Sequence, residues 1–254
     1  LQGLLRNPLA EPGVLGVSAW SSLAAVTVIY FGIAENWSYA APVAAIGGSL
    51  LATGLLCCVA IWVKSTVTLI LFGIGLSSLA GALMALVTNF APNPFYLSDM
   101  ITWMLGSVAN RSLLDIALVL PFMLAGLLLL LSQRKGLTLL SLGEDTASTL
   151  GLSLTTTRIC VVLGAGLATG AAVSLAGVIG FVGIVTPHLV RPLVNYEPGK
   201  TIIPSAVLGG VFLVLIDIGV RIISTNVELK IGVLAALVGA PIFIWIASKS
   251  GRHE

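Results

Sequence analysis

The chain has 254 residues, of which 57% are hydrophobic and only 9% charged, with a mean hydropathy of +1.10 and a formal net charge of +2. A soluble domain is typically about 25% charged, so the composition excludes a soluble globular protein and predicts an all-α, polytopic transmembrane helical bundle. The small net charge and the lack of any basic cluster give no footing for nucleic acid, and membrane lipid is the partner that composition alone implies.

A spanning helix needs about 20 mostly apolar residues. On that basis the chain is predicted to span at 12–34, 41–63, 66–90, 113–132, 157–177, 178–195, 203–224 and 230–248, the sixth short and interrupted. The chain opens at Leu1 on an apolar stretch cut short, with neither a positively charged leader nor a cleavage pattern. That start predicts a fragment without its N-terminal part. No internal repeat or low-complexity tract is visible, so residues 1–254 read as one transmembrane domain. Lys and Arg are enriched in cytoplasmic loops. With the N-terminus inside, Arg6, Lys64, Arg134, Lys135, Arg158, Arg191, Lys200, Lys249 and Arg252 fall on the cytoplasmic side, and Arg111, Arg221 and Lys230 outside.

Along the chain, Arg6-Asn7-Pro8-Leu9-Ala10-Glu11-Pro12-Gly13 reads as a tight turn, because two prolines fix φ and Asn before Pro favours extended or turn backbone. Cys57, Cys58 and Cys160 lie in apolar runs and read as buried small hydrophobes, not as a disulfide or metal site. Ser65-Thr66-Val67-Thr68 opens the third span at its cytoplasmic end, where a small polar residue can cap the helix. Gly73, Gly75 and Gly81, like Gly164, Gly166 and Gly170, are expected to serve close helix packing.

The connection from Ala91 to Ser112 carries Pro92, Pro94 and a short segment around Trp103-Met104-Leu105-Gly106-Ser107, with Trp103 at the outer interface. The polar connection from Gln133 to Thr156 contains Gly143-Glu144-Asp145. Those two acids are expected to begin a short helix, favourably placed against its dipole, and Gly151 to end it. On the residues alone, a solvated turn and a working loop are equally good readings.

Residues Ala176 to Arg191 are apolar, yet they carry Gly177, Gly180 and Gly183 at a spacing of three, then Pro187-His188 and Arg191. Such glycines leave one helix face bare for a neighbour, and Pro187 removes a backbone donor, which is tolerated only where protein or water satisfies the freed carbonyl. His188 has no second ligand at metal spacing and reads as a packing or hydrogen-bonding residue. Pro198-Gly199-Lys200-Thr201 lacks the first glycine of a phosphate-binding loop and reads as a plain loop. Asp217 and Arg221 form an i,i+4 pair at the outer end of the seventh span. The last span contains Gly239-Ala240-Pro241-Ile242-Phe243, a packing glycine beside a proline kink.

The Gly177–Arg191 run and the Asn7-Pro8-Leu9-Ala10-x-Pro12-x-x-Leu15-Gly16-Val17 loop together resemble the FecCD-type permeases, the membrane subunits of ATP-driven importers for ferric siderophores, haem and cobalamin. The resemblance extends through Gly143-Glu144, Ala147 and Leu150-Gly151, through Trp103-x-x-Gly106-Ser107, and through Gly239-x-Pro241-x-Phe243, in the family's order. Two places depart from it. Asn110-Arg111-Ser112-Leu113 stands where the family often has a second Trp, and Lys230 stands where it usually has Pro.

The resemblance implies a ten-helix permease of which this chain holds helices three to ten, in the bacterial inner membrane. It implies a second permease copy or paralogue, two ATPase subunits and an external substrate-binding protein, with no cofactor and no catalytic residue in this chain. It also implies roles. The loop with Gly143, Glu144, Ala147, Leu150 and Gly151 would dock on the ATPase, while Ser65, Thr66 and Gly73 would line the path or inner gate. Arg221 would meet the binding protein. Ferric siderophore leads as cargo, with haem and cobalamin behind. The competing class is a secondary transporter without an ATPase. Ion coupling usually places carboxylates near the bilayer midplane, whereas every Asp and Glu here falls in a predicted loop or span end, Asp115 and Asp217 included. An intramembrane enzyme would need a nucleophile and base, or a metal pair, within the spans, and no such set is present there.

Overall fold

The computed structural model describes residues 1–7, 10–63, 65–223 and 229–250. Pro8, Leu9, Lys64, Glu228, Arg252 and the side chain of Lys249 lie outside the described residues. Among the described residues the regular structure is entirely helical. In chain order the first half holds α1 (Gln2–Leu5), α2 (Val17–Tyr30), α3 (Ile33–Asn36), α4 (Ala40–Trp62), α5 (Thr66–Asn89), α6 (Pro94–Leu105) and α7 (Leu113–Ser132). The second half holds α8 (Arg134–Leu140), α9 (Glu144–Thr149), α10 (Leu154–Ala176), α11 (Val182–Val190), a 3-10 turn (Arg191–Val194), α12 (Pro198–Ile223) and α13 (Ile231–Ser250).

Each predicted span contains a helix. Five of them, α4, α5, α7, α10 and α12, are long and apolar enough to cross a membrane; α2, the α11 segment and α13 are apolar but offer shorter stretches.

Helix starts follow local chemistry. Ser65, Asn93 and Ser153 each accept a hydrogen bond from a backbone N–H in the first turn of α5, α6 and α10. Ser112 and Asp115 form a reciprocal capping box at α7. Pro198 begins α12, so Pro198–Thr201 is the first turn of a helix and not the expected loop; a proline costs nothing at that position because its missing N–H has no intrahelical acceptor.

At the centre of the bundle, α10 packs against α2, α4 and α7. Lipid supplies no hydrophobic drive between helices, so close approach of small residues must hold them. Gly166 lies against Thr53 and Gly170 against Ser49 across the α10–α4 seam. A Cβ at Gly126 of α7 would come within 2.6 Å of the Gly164 carbonyl oxygen of α10. Gly73 packs on Leu15 in the same way. Gly75 and Gly81 do not serve packing within the chain, because they point into open space. Cys58 is exposed on α4 and not buried as expected, whereas Cys57 and Cys160 are half-buried.

Two predicted spans contain irregular backbone. The first begins as helix only at Val17, not at residue 12. The turn before it is drawn inward against α5: Ser77 Oγ donates to the Gly13 carbonyl at 3.2 Å, and Gly16, at φ +81°, sits on Leu76 and Ser77. Ser77 is 11 residues into α5, or about 16 Å from its start at 1.5 Å per residue, so this turn lies deep in the bundle. Glu11 goes with it, and a Cβ at Gly183 would sit 3.5 Å from Glu11 Oε2. The other irregular stretch is 177–181, which joins α10 to α11.

The charge asymmetry has a matching geometry. Arg6 and Arg158 act together on Glu144, and Arg134 meets the Gly199 turn next to Lys200, all at one end. At the other end Val108, Val220, Leu229 and Ile231 share an apolar cluster near Arg111, Arg221 and Lys230.

Candidate functional site

The Gly143–Gly151 loop is not a free surface turn. Gly143 has φ +108° and Gly151 φ +87°, values that L side chains rarely adopt, so glycines bracket α9 for a backbone reason. Within α9, Ala147 is fully buried and shares an apolar cluster with Leu5, Leu69, Leu140 and Val161. The Leu152 N–H donates to the Ala147 carbonyl at 3.0 Å and closes the loop.

Glu144 turns inward. Arg158, in the first turns of α10, donates from Nη2 to both Glu144 oxygens at 2.9 Å. Thr66, the first residue of α5, donates from Oγ1 to Glu144 Oε1 at 2.6 Å and accepts from Arg158 Nη2 at 3.2 Å. The Arg158 side chain is 6% exposed and that of Glu144 32%. Burial pushes the Glu144 carboxyl up, but the hydrogen bonds from Thr66 and Arg158 and the charges of Arg158 and Arg6 outweigh it and hold the carboxyl below its ordinary value.

What the loop offers outward is a different set: Leu142 at 60% exposure, Leu150 at 58%, and the exposed Asp145, Ser148 and Thr149. Of the loop residues expected from the sequence, Glu144 and Ala147 hold the loop to the bundle, whereas Leu150 is exposed on it together with Leu142, which the sequence did not single out.

The structure thus joins two candidates that the sequence kept apart, Thr66 and Glu144, through a residue that sequence reasoning counted only as a cytoplasmic charge. Arg158 had a signal. It is a lone Arg inside the apolar run that follows Ser153-Leu154-Thr155-Thr156-Thr157, and a buried cation needs a partner. Of the other gate candidates, Ser65 caps α5 by accepting from the Thr68 N–H, and Gly73 admits Leu15.

The Gly177–Arg191 motif is not a glycine-bared helix face. Gly177, at φ +71°, ends α10, and a Cβ there would come within 2.5 Å of the Trp103 carbonyl. Gly106, at φ +72°, faces the carbonyls of Ala176 and Val178, and the Ser107 N–H donates to the Ala176 carbonyl at 2.8 Å. The Trp103–Ser107 motif and the start of the glycine motif are thus one backbone-to-backbone joint. Gly180 lies in the irregular stretch with open space around it. Phe181 adopts left-handed backbone and packs on Gly239 of α13.

Only Gly183 is helical, and its role is tied to Pro187. Pro187 has no N–H to give the carbonyl four residues earlier, which is that of Gly183. Gln2 Nε2 donates to that carbonyl at 3.4 Å, and Arg191 Nη2 donates to Gln2 Oε1 at 2.6 Å. The freed carbonyl is satisfied by protein, through a residue the sequence did not single out. The His188 side chain makes no hydrogen bond to any described residue, and no group of three or more possible metal ligands occurs among the described residues.

At the opposite end of the bundle Arg221 Nε donates to Asp217 Oδ2 at 2.8 Å, with the arginine side chain 69% exposed.

The FecCD transport family matches residues 1–249. The uncharacterized ABC transporter permease protein YvrB of Bacillus subtilis (strain 168) is 36% identical over 256 residues, covering 99% of this chain and 72% of that protein. The vitamin B12 import system permease protein BtuC of Salmonella typhi is 36% identical over 257 residues, covering 99% and 77%. A solved structure described as an inward-facing conformation of a metal-chelate type ABC transporter superposes with a TM-score of 0.90 at 31% identity, over 98% of this chain and 79% of that one.

Proposed function

The chain belongs to the FecCD transport family, and on that premise we propose that it is the permease subunit of a binding-protein-dependent importer of ferric siderophores. It is a multi-pass membrane protein and an ABC transporter permease, not an enzyme; ATP is hydrolysed by a partner ATPase. In the proposed assembly two permeases enclose the path in the bacterial inner membrane, two ATPase subunits sit inside and a binding protein sits outside. All eight apolar helices cross, as helices three to ten of the family's ten. The Gly143–Gly151 loop meets the ATPase through Leu142 and Leu150. Ser65 and Thr66 sit by the inner gate, and Arg221 meets acidic residues of the binding protein.

The observation that carries this reading is the loop itself, pinned by Glu144 and Ala147 while leaving two leucines exposed. A solvated turn needs neither. A second cargo, cobalamin, is favoured by the 36% identity to a vitamin B12 import permease.

Uptake by proteoliposomes holding the full transporter tests the reading. ATP-dependent uptake of a ferric siderophore that requires the binding protein is expected. Uptake of cyanocobalamin alone would move the cargo to the second reading, and uptake independent of ATP would overturn the importer. Orientation has its own check. In a background without Cys57, Cys58 and Cys160, single cysteines at Ser141 and Asn110 should label from opposite sides; labelling from one side refutes the eight crossings.

A further inference from the structure

The Thr66 hydroxyl is free for a task beyond helix capping, because Ser65 already caps α5. It spends its bonds on another element instead, donating to Glu144 of α9 and accepting from Arg158 of α10. Three elements therefore meet around one guanidinium nitrogen, in three contacts made by that nitrogen and one from Thr66 to Glu144, all between 2.6 and 3.2 Å. Charge-assisted bonds of this kind are roughly twice as strong as neutral ones.

The three elements are not equally held. α10 is the packed centre of the bundle, in contact with α2, α4 and α7. α5 rests on α2 and less on α4, and most of its length is uncovered in this chain. The loop is anchored by Ala147 and Glu144. From this arrangement we propose that Arg158 is a positioning residue that couples displacement of the Glu144 loop to the cytoplasmic end of α5, through the Thr66 hydroxyl.

The physical reason is an asymmetry of costs. Pulling Glu144 away alone leaves Arg158 buried without its counter-charge, which is strongly unfavourable. If the Arg158 side chain follows Glu144 the charge stays paired, and Thr66, hydrogen-bonded to both, is drawn along with the pair. A partner that displaces the loop therefore moves the start of α5 with it, and α5 yields because it is far less covered than α10. The inference rests on the proposed importer function and assigns the route by which its loop reaches the path.

The test uses the complete transporter in proteoliposomes and reads substrate moved per ATP hydrolysed. Thr66→Val removes the hydroxyl and leaves the Arg158–Glu144 pair. It should lower the ratio several-fold while binding-protein-stimulated hydrolysis persists, and Thr66→Ser should restore it. Glu144→Gln should lower the ratio too, and the double variant should be no worse than the worse single. A wild-type ratio in Thr66→Val, or effects of the two singles that multiply in the double variant, would overturn the link. Spin labels at the exposed Ser148 and Thr68 give a readout independent of transport: they should shift together on ATP binding in the wild type and independently in Thr66→Val. Independent shifts in the wild type would refute the link outright. Failure of the wild type to transport with ATP would instead sink the importer reading, so the two failures are told apart.

Discussion

Among the described residues are two arginine–carboxylate pairs of nearly equal length, Arg158–Glu144 at 2.9 Å and, at the opposite end of the bundle, Arg221–Asp217 at 2.8 Å. Their surroundings differ. The first is enclosed, links two helices and shares its nitrogen with a third; the second lies along one turn of α12 with its arginine 69% exposed. Distance alone would rank them equal. Burial separates a pair whose loss strands a charge from a pair that water can replace. The inner pair fixes a shape, while the outer arginine is held loosely enough to change partners.

The sharpest way to break that contrast is charge reversal on each side. Glu144→Arg sets a second cation against buried Arg158, so it should abolish transport and also destabilise the bundle. The expected loss is about 3 kcal/mol, the low end for a broken buried pair because Glu144 still reaches water. The midpoint of thermal unfolding in detergent and the yield of assembled transporter check it. Unchanged stability with lost transport would return Glu144 to a purely external contact.

Arg221→Glu should cost stability only about 0.3 kcal/mol, the scale of an exposed i,i+4 pair. Its effect should appear in binding-protein association, weakened more at low salt than at high salt because screening already suppresses the wild-type attraction. Association rates across a salt series check it, and rates equal to wild type throughout would leave Arg221 as no more than the partner of Asp217.

The smallest effect is that of pH. The Glu144 carboxyl is held below its ordinary value of 4.5 in the folded protein. Its contribution to stability is therefore fully present above that value and is lost as pH falls through the lower, folded one. The groups that face it are Arg158, Arg6 and Thr66. Stability measured from about pH 6 to about pH 8 should show no step from this group. A step there would mean that the pair is not formed.

Much of the helix plan was legible because about 20 apolar residues in a row have few other uses. The breaks were legible only in part, as a turn through Gly13 and an interrupted sixth span, and not in their extent. Residues 12–16 and 177–181 are as apolar as the helices they adjoin, so hydropathy runs through them, and only their contacts with α5 and with the Trp103–Gly106 turn reveal the irregular backbone. At the site, Thr66 and Glu144 were legible one at a time through family resemblance. That they touch was not, since 78 residues separate them in the chain. Arg158 and Gln2 were missed for a related reason. Each acts by satisfying a group that only folding creates, a stranded carboxylate in one case and a proline-freed carbonyl in the other.

The Gln2–Gly183 contact spans 181 residues. Contacts of such separation carry the largest chain-closure cost and form late. The carbonyl freed by Pro187 is therefore among the last groups of the bundle to gain its partner. Gln2 is in this sense a late keystone: its bond to Gly183 closes only once helices from distant parts of the chain have packed together.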